Sequence, residues 1–194
     1  MARTADRGAQ EAQLSRAVWD VLANQGIERL TIRAVAAAAG CTTGLVMHRF
    51  PHRKALLRHA RQLLHERTRQ RVEALEAEAE SPRAALRAVL AQGLAVDAET
   101  AGESLVWVGF LAAAVGDDEL MGLHHANNRV WRERLERLVA AVVPDWPRER
   151  VTATAFALMA MAEGAAALAS TDPAAHPPAT QLATLDTTLA AFGL

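Results

Sequence analysis

Between Thr31 and Phe50 the chain reads TIRAVAAAAGCTTGLVMHRF, an order that few local arrangements satisfy. Ile32, Val35, Ala36 and Ala39 recur at helical spacing, which gives a short helix one apolar face. Gly40 stops it, because glycine alone enters the left-handed conformation of a helix end without a Cβ penalty. Thr42 or Thr43 is placed to cap a second helix by accepting a backbone N–H. That helix carries Val46 and Phe50 inward and leaves Thr43, Leu45, Met47, His48 and Arg49 largely outward. A small residue at the contact, glycine at the turn and a β-branched residue sealing the inside suit two steeply crossing helices. Such a helix-turn-helix presents its second helix to a DNA major groove. A helical hairpin in some other all-α protein is the competing reading.

Charge favours the first. Residues 1–71 hold 13 Lys and Arg against 5 Asp and Glu, whereas residues 72–194 hold 8 against 17, so the net charge of −1 conceals two opposed blocks. A basic block that coincides with the motif is the electrostatic footprint of a phosphate-binding surface. The acidic remainder cannot wrap DNA as well, and the chain reads as two functional parts, residues 9–70 and 71–194.

Half of the residues are hydrophobic, many of them alanine, and only 4% are aromatic with no tyrosine. Helix formers dominate and no segment alternates long enough to demand a strand, so the fold class is all-α. Cys41 is the single cysteine, which excludes an intramolecular disulfide or a cysteine zinc site within one chain. The first dozen residues are polar, unlike a signal peptide, and the apolar runs Leu105–Val115 and Ala153–Ala162 are too short to span a membrane. A cytoplasmic protein with no membrane association, metal or cofactor is expected. Enzyme motifs are lacking: His65-Glu66 has no second histidine for H-E-x-x-H, and the adjacent His124 and His125 diverge by about 100° on a helix. No glycine-rich phosphate loop, G-x-S-x-G or C-x-x-C is present.

About nine helices are expected. The first spans about 9–25 and buries Leu14, Ala17, Val18, Val21 and Leu22; the motif supplies the next two. A long fourth helix, about 54–79, would measure about 39 Å. Its arginines Arg58, Arg61, Arg67, Arg69 and Arg71 precede Glu73, Glu76 and Glu78, which opposes the macrodipole and implies another demand, for which nearby DNA suffices. Ser81-Pro82 opens a fifth helix to about Asp97. A sixth, about 103–115, is apolar enough to be buried nearly all round. Asp117 and Asp118 cap a seventh to about Val143, Asp145 and Pro147 open an eighth to about Ala169, and a ninth spans about 179–192.

The chain resembles the TetR family of transcriptional regulators. The family's DNA-binding segment typically reads AG-V-S-T-G-L-V-Y-H-Y-F, followed by K/R-E-x-L-L. Here Ala39 to Phe50 reads AGCTTGLVMHRF, and Arg53-Lys54-Ala55-Leu56-Leu57 matches the sequel. The second half, with Trp107, Asp117-Asp118-Glu119-Leu120 and Trp131, more weakly resembles the BetI-like branch. By this resemblance Thr31, Arg33, Thr42, Thr43, His48, His52 and Lys54 fall at positions that commonly touch phosphates or base edges, with Gly44 and Leu45 in the same segment. Met47 and Arg49 depart from the pattern. The family's tyrosine contacts a phosphate, a thioether at Met47 cannot, and Arg49 can restore that contact with a charge.

The resemblance implies an unidentified small-molecule effector and a homodimer on double-stranded DNA, joined through its last two helices, most simply a repressor released by that effector. Ala155, Met159, Ala162, Ala166, Leu182, Leu185 and Leu189 are the apolar stripes available for dimerisation, although they also suit a protomer core. Trp107, Phe110, His124, Asn128, Trp131, Phe156 and Glu163 combine aromatic bodies with polar tips, the makeup of a small-molecule site. Trp107 and Trp131 with Glu103 or Glu163 could cage a cation, and the BetI-like resemblance points to choline-like ligands. Two other readings stay open: a constitutive nucleoid-type DNA-binding protein, and a ligand-binding helical protein with a weakened DNA head. An enclosed cavity in the second half separates the first of these from a regulator.

Overall fold

The computed structural model describes the backbone from Ala2 and the side chains from Gly8 to Leu194. Among the described residues it is all-α: α1 (Ala2–Gln25), a single 3-10 turn (Ile27–Arg29), α2 (Ile32–Ala39), α3 (Thr43–Arg49), α4 (Arg53–Glu78), α5 (Pro82–Gln92), α6 (Ala98–Ala114), α7 (Asp118–Val142), α8 (Arg148–Thr171) and α9 (Pro178–Phe192). The helix starts are chemically set. Thr31, Thr42 and Ser81 hydroxyls accept from the amides of Ala34, Leu45 and Ala84 at 3.1, 3.3 and 3.1 Å. Asp117 takes the amides of Glu119 and Leu120, both at 3.1 Å. Gly40 ends α2 at φ 61°, as the motif requires.

The boundary between α5 and α6 departs from expectation. α5 stops at Gln92, and Asp97, expected inside it, instead opens α6. Its carboxylate accepts from the Thr100 amide at 2.8 Å while the Thr100 hydroxyl accepts from the Asp97 amide at 3.1 Å. This reciprocal capping box, written with a threonine in its last place, outweighs the helical periodicity running through the segment.

Two apolar cores lie along α4. The first gathers α1 to α3 around Leu56, Leu57, Ala60 and Leu64 and takes in Val106, Phe110, Ala114 and Leu120. The second starts at Val72 and gathers α5, the end of α7, α8 and α9. α6 belongs to the first core through Val106, Phe110 and Ala114 and is not buried all round as its composition suggests. Leu105 is 49% exposed, whereas Thr100, Glu103 and Ser104 are buried. The inward side of its first turns is polar because Thr100 serves the cap and Glu103 meets arginines of α4, and it becomes apolar from Val106 onward.

Those arginines supply the demand that overrides the macrodipole. Arg67 and Arg71 reach Glu99 at 2.8 and 2.6 Å, Arg71 also binds Glu103 at 2.9 Å, and Arg69 holds Glu66 and Glu73 at 2.8 Å each. The second half of α4 therefore spends its positive charge inside the fold, on α6 and on its own acids.

Within the 24 residues of α8 an 18-residue window has a mean hydropathy of 1.5, so by length and composition alone this helix is apolar enough to cross a membrane, although its uninterrupted apolar run is short. Here its inner side packs in the second core: Ala155, Leu158, Met159 and Ala162 are buried there.

One polar clamp fixes the loop between α5 and α6. Gln181 of α9, itself buried, accepts from the Ala95 amide at 2.9 Å and donates to the Ala95 and His176 carbonyls, both at 3.0 Å. Gln181→Ala leaves the backbone groups of buried Ala95 unpaired and is expected to destabilise the fold by about 2–4 kcal/mol. Urea unfolding measures this; an unchanged midpoint would mean that water replaces the amide.

Candidate DNA-reading head and regulatory cavity

The head is built around Val46. That side chain is fully buried, with Phe50 beside it in the first core, so α3 is pinned by one face and turned outward on the other. The Gln13 amide fastens α1 to the end of α2 through the Ala39 carbonyl at 2.6 Å. Thr43, Gly44, His48 and Arg49 are exposed and Met47 is 53% exposed, while Leu45 is half-buried rather than fully outward. Arg33 is exposed on α2. Three of the candidate DNA residues have structural duties: Thr31 and Thr42 cap helices, and the His52 Nδ1 accepts from the Ala55 amide at 3.2 Å to cap α4.

Two of the candidate DNA-contacting cations, Arg49 and Lys54, are paired. Arg49 forms an ion pair with Glu11 of α1. Lys54 bonds Asp117 at 2.9 Å and Glu119 at 3.0 Å, and Arg58 bonds Glu119 at 2.9 Å, so the start of α7 is tied to the start of α4. The two carboxylates hold the Lys54 ammonium pKa above its ordinary value.

A cavity of about 160 Å³ lies between the two cores, walled by α4, α6, α7 and α8. Of the residues proposed for it, Trp107, His124, Asn128, Trp131 and Glu163 line it, with Trp107 leaning on the first core and Trp131 on the second. Phe110 does not: it is a buried member of the first core, under the guanidinium of Arg61 at 5.6 Å. Phe156 does not either, since it is 59% exposed on the outer side of α8. Both miss because aromatic composition marks apolar surroundings, without telling cavity wall from core or outer face.

Sequence reasoning missed Gln92 and Asn127 as cavity residues, and it placed Arg61 only in the basic run of α4. Their shared signal is unsatisfied chemistry. Among the described residues, Arg61 Nε, Gln92 Oε1, His124 Nδ1 and Asn127 Nδ2 are buried without a hydrogen-bond partner, and all four residues line this cavity. Buried polar atoms are normally paired with protein or with water, so four of them around one space make it the candidate site for a polar ligand. In sequence, Arg61 could have been noticed as a charged residue on the apolar stripe that runs through Leu57 and Leu64. Burial pulls its guanidinium pKa down to about 10, which leaves it charged at neutral pH. Burial also lowers the pKa of His124 and raises that of Glu163.

Comparison with known proteins bears on both parts. Residues 14–67 match the bacterial regulatory proteins of the tetR family, and residues 82–193 match the C-terminal domain of BetI-type transcriptional repressors. The HTH-type transcriptional regulator BetI of Paraburkholderia phymatum is 30% identical over 169 residues, covering 84% of this chain and 83% of that protein. A transcriptional regulator from Rhodococcus sp. Rha1 superposes with a TM-score of 0.83 at 26% identity, over 93% of this chain and 94% of the other. A putative transcriptional regulator from Saccharomonospora viridis, solved in complex with choline, superposes with a TM-score of 0.84 over 95% of this chain and 96% of its own, and at 15% identity that likeness is one of fold. These proteins regulate transcription and are not enzymes. An outward α3 over a sealed core, and the match of both halves of the chain, place this protein in the TetR family of transcriptional regulators, with a BetI-type C-terminal domain.

Proposed function

We propose that the protein is a homodimeric repressor whose α3 reads a palindromic operator and which a small molecule in the cavity releases. The observation that carries this is the placement of the cavity: it is walled by α4, α6 and α7, and the same α4 and α7 are tied to each other beside the head through Lys54, Arg58, Asp117 and Glu119. A ligand that binds better when these helices are displaced shifts the spacing of two heads and weakens their joint grip on DNA. A constitutive nucleoid-type protein has no use for such a cavity. Residues 9–70 form the reading head and 71–194 the regulatory part in this reading, and a cytoplasmic location follows from an operator on the chromosome.

One head makes too few contacts for tight, specific binding, so two must act at half-sites about 34–36 Å apart or a multiple of that. Of the expected dimer stripes, Ala155, Met159, Ala162, Ala166, Leu185 and Leu189 are buried within the protomer and Leu182 is half-buried, which favours a core role for them. The outer side of α8 and α9 supplies the interface: Phe156, Ala160, Gly164 and Leu168 form an i, i+4, i+8, i+12 ridge, beside exposed Ala183, Thr187 and Ala190 of α9. Small residues flanking a ridge suit close helix packing in a four-helix interface between copies.

On DNA, Arg49 exchanges Glu11 for a phosphate, and Thr43, at the first turn of α3, reaches a base edge. Arg49→Ala is then expected to weaken operator and random DNA by similar factors and to make the salt dependence shallower by about one counterion per head. Thr43→Ala is expected to reduce discrimination between operator and mutated site by up to about 1–3 kcal/mol. Gel shifts over a salt series measure both. If Arg49→Ala changes base preference and leaves the slope intact, the two roles are reversed.

A further inference from the structure

The groups lining the cavity are not equally committed. Arg69 is held by Glu66 and Glu73, and Arg134 by Glu76 at 2.5 Å. Glu103, the counter-charge once considered for a cationic ligand, is taken by Arg71 at 2.9 Å and approached by Arg67 at 3.7 Å. Arg61 is different. It is 8% exposed and, among the described residues, makes neither an ion pair nor a hydrogen bond; its guanidinium lies over the Phe110 ring and feels the Glu163 carboxylate only at a distance. An unpaired charge at such burial is strongly unfavourable unless something else neutralises it. Its neighbours around the space are hydrogen-bonding groups in want of partners: the Asn127 amide nitrogen, the His124 imidazole and the Gln92 carbonyl. Trp107 and Trp131 supply flat apolar walls.

Resting on the reading of this cavity as the effector site, we infer that it takes a small organic anion, a carboxylate with an apolar or aromatic body. The carboxylate sits on the guanidinium of Arg61, whose planar fork matches it with two N–H donors. Asn127 Nδ2 donates to the same head group, and the body lies against Trp107 and Trp131. Glu163 is the one carboxylate of the wall without an ion pair among the described residues; burial raises its pKa and the charge of Arg61 opposes that rise. A cation is disfavoured on the same grounds. Its remaining counter-charge is Glu163, which already faces Arg61, so a cation would compete with that arginine for the one carboxylate.

The test reads binding in the absence of DNA. The full-length protein is titrated calorimetrically, and melted, with sodium acetate, benzoate and 3-phenylpropionate at constant ionic strength, with benzamide and choline chloride as controls. Benzoate or phenylpropionate is expected to bind and to raise the melting temperature, while benzamide and choline do not. Arg61→Gln is expected to weaken the bound carboxylate at least about tenfold, and Arg61→Lys by less, because a point charge replaces a fork. The ligand-free Arg61→Gln protein should melt no lower than wild type, which separates lost binding from lost folding. Glu163→Gln should keep carboxylate binding; if it abolishes it, Glu163 rather than Arg61 organises the site and the inference fails. It also fails if none of the three carboxylates binds, if Arg61→Gln binds them as wild type does, or if choline binds in their place. A carboxylate that binds through Arg61 yet leaves a promoter DNA complex intact sinks the regulatory reading and leaves this one standing. Release of DNA by choline alone does the reverse.

Discussion

Phe156→Arg is expected to convert the protein from a species of about twice its 20.8 kDa chain mass to single chains at micromolar concentration. Phe156 contributes nothing to either core, so the variant should keep its helical circular dichroism. On the outer ridge of α8, however, it is the largest apolar group, and in the proposed interface an arginine there would bury an unpaired charge among small residues. Losing the second head removes the gain of simultaneous engagement, a factor of about 10²–10⁴, so operator affinity should fall at least about a hundredfold. Light scattering and gel shift on the same sample measure this. A dimeric Phe156→Arg variant that still grips its operator would move the interface elsewhere.

The second large effect is expected at Gly109. A Cβ built there would stand 2.7 Å from Ile27 Cγ2 and 3.0 Å from Ile27 Cβ, so α6 lies directly against the turn that precedes the reading motif. Gly109→Val adds two further methyl groups to that clash and is expected to destabilise the protein by about 3 kcal/mol through overpacking. The damage is directional. The Leu30 amide is bonded to the Ile27 carbonyl at 3.2 Å, so pushing Ile27 aside displaces the chain leading into α2 and weakens operator binding beyond the loss of folded protein. Ile27→Ala in the same chain should restore much of both, since it removes the opposing atoms. A double-mutant cycle in melting temperature gives the coupling. Additive effects would mean that α6 and the turn are not in register as described.

What could be read from the sequence divides along one line. Features set by neighbouring residues were legible: Gly40 at the turn, Val46 and Phe50 inward, Ser81 and Asp117 as caps. Asp97 shows the limit, because its capping box with Thr100 uses a weaker residue than glutamate and lies inside a segment whose apolar spacing continues unbroken. Features set by which helix meets which were not legible. Ala155, Met159 and Leu185 have the spacing of an interface and the position of a core, and periodicity cannot separate the two. Phe110 and Phe156 failed as cavity residues for that reason. Arg61 carried one sequence signal, its place on the apolar stripe of Leu57 and Leu64, but what it faces was set only by α6, α7 and α8 closing around it.

The ties from Asp117 and Glu119 to Lys54 and Arg58 have a consequence for how sharply the head distinguishes its operator. In the proposed function, where Lys54 meets a phosphate, two carboxylates at the start of α7 occupy that cation and its neighbour Arg58, so they would act as a built-in rival to the phosphate backbone. Any stretch of DNA must outbid that rival before Lys54 and Arg58 turn outward. A random sequence, offering phosphates alone, gains least from the exchange, whereas a site that also satisfies Thr43 and its neighbours gains enough to complete it. The rival is carried on a helix that walls the cavity, so a shift of α7 changes how many positive charges the head can lend to DNA at all.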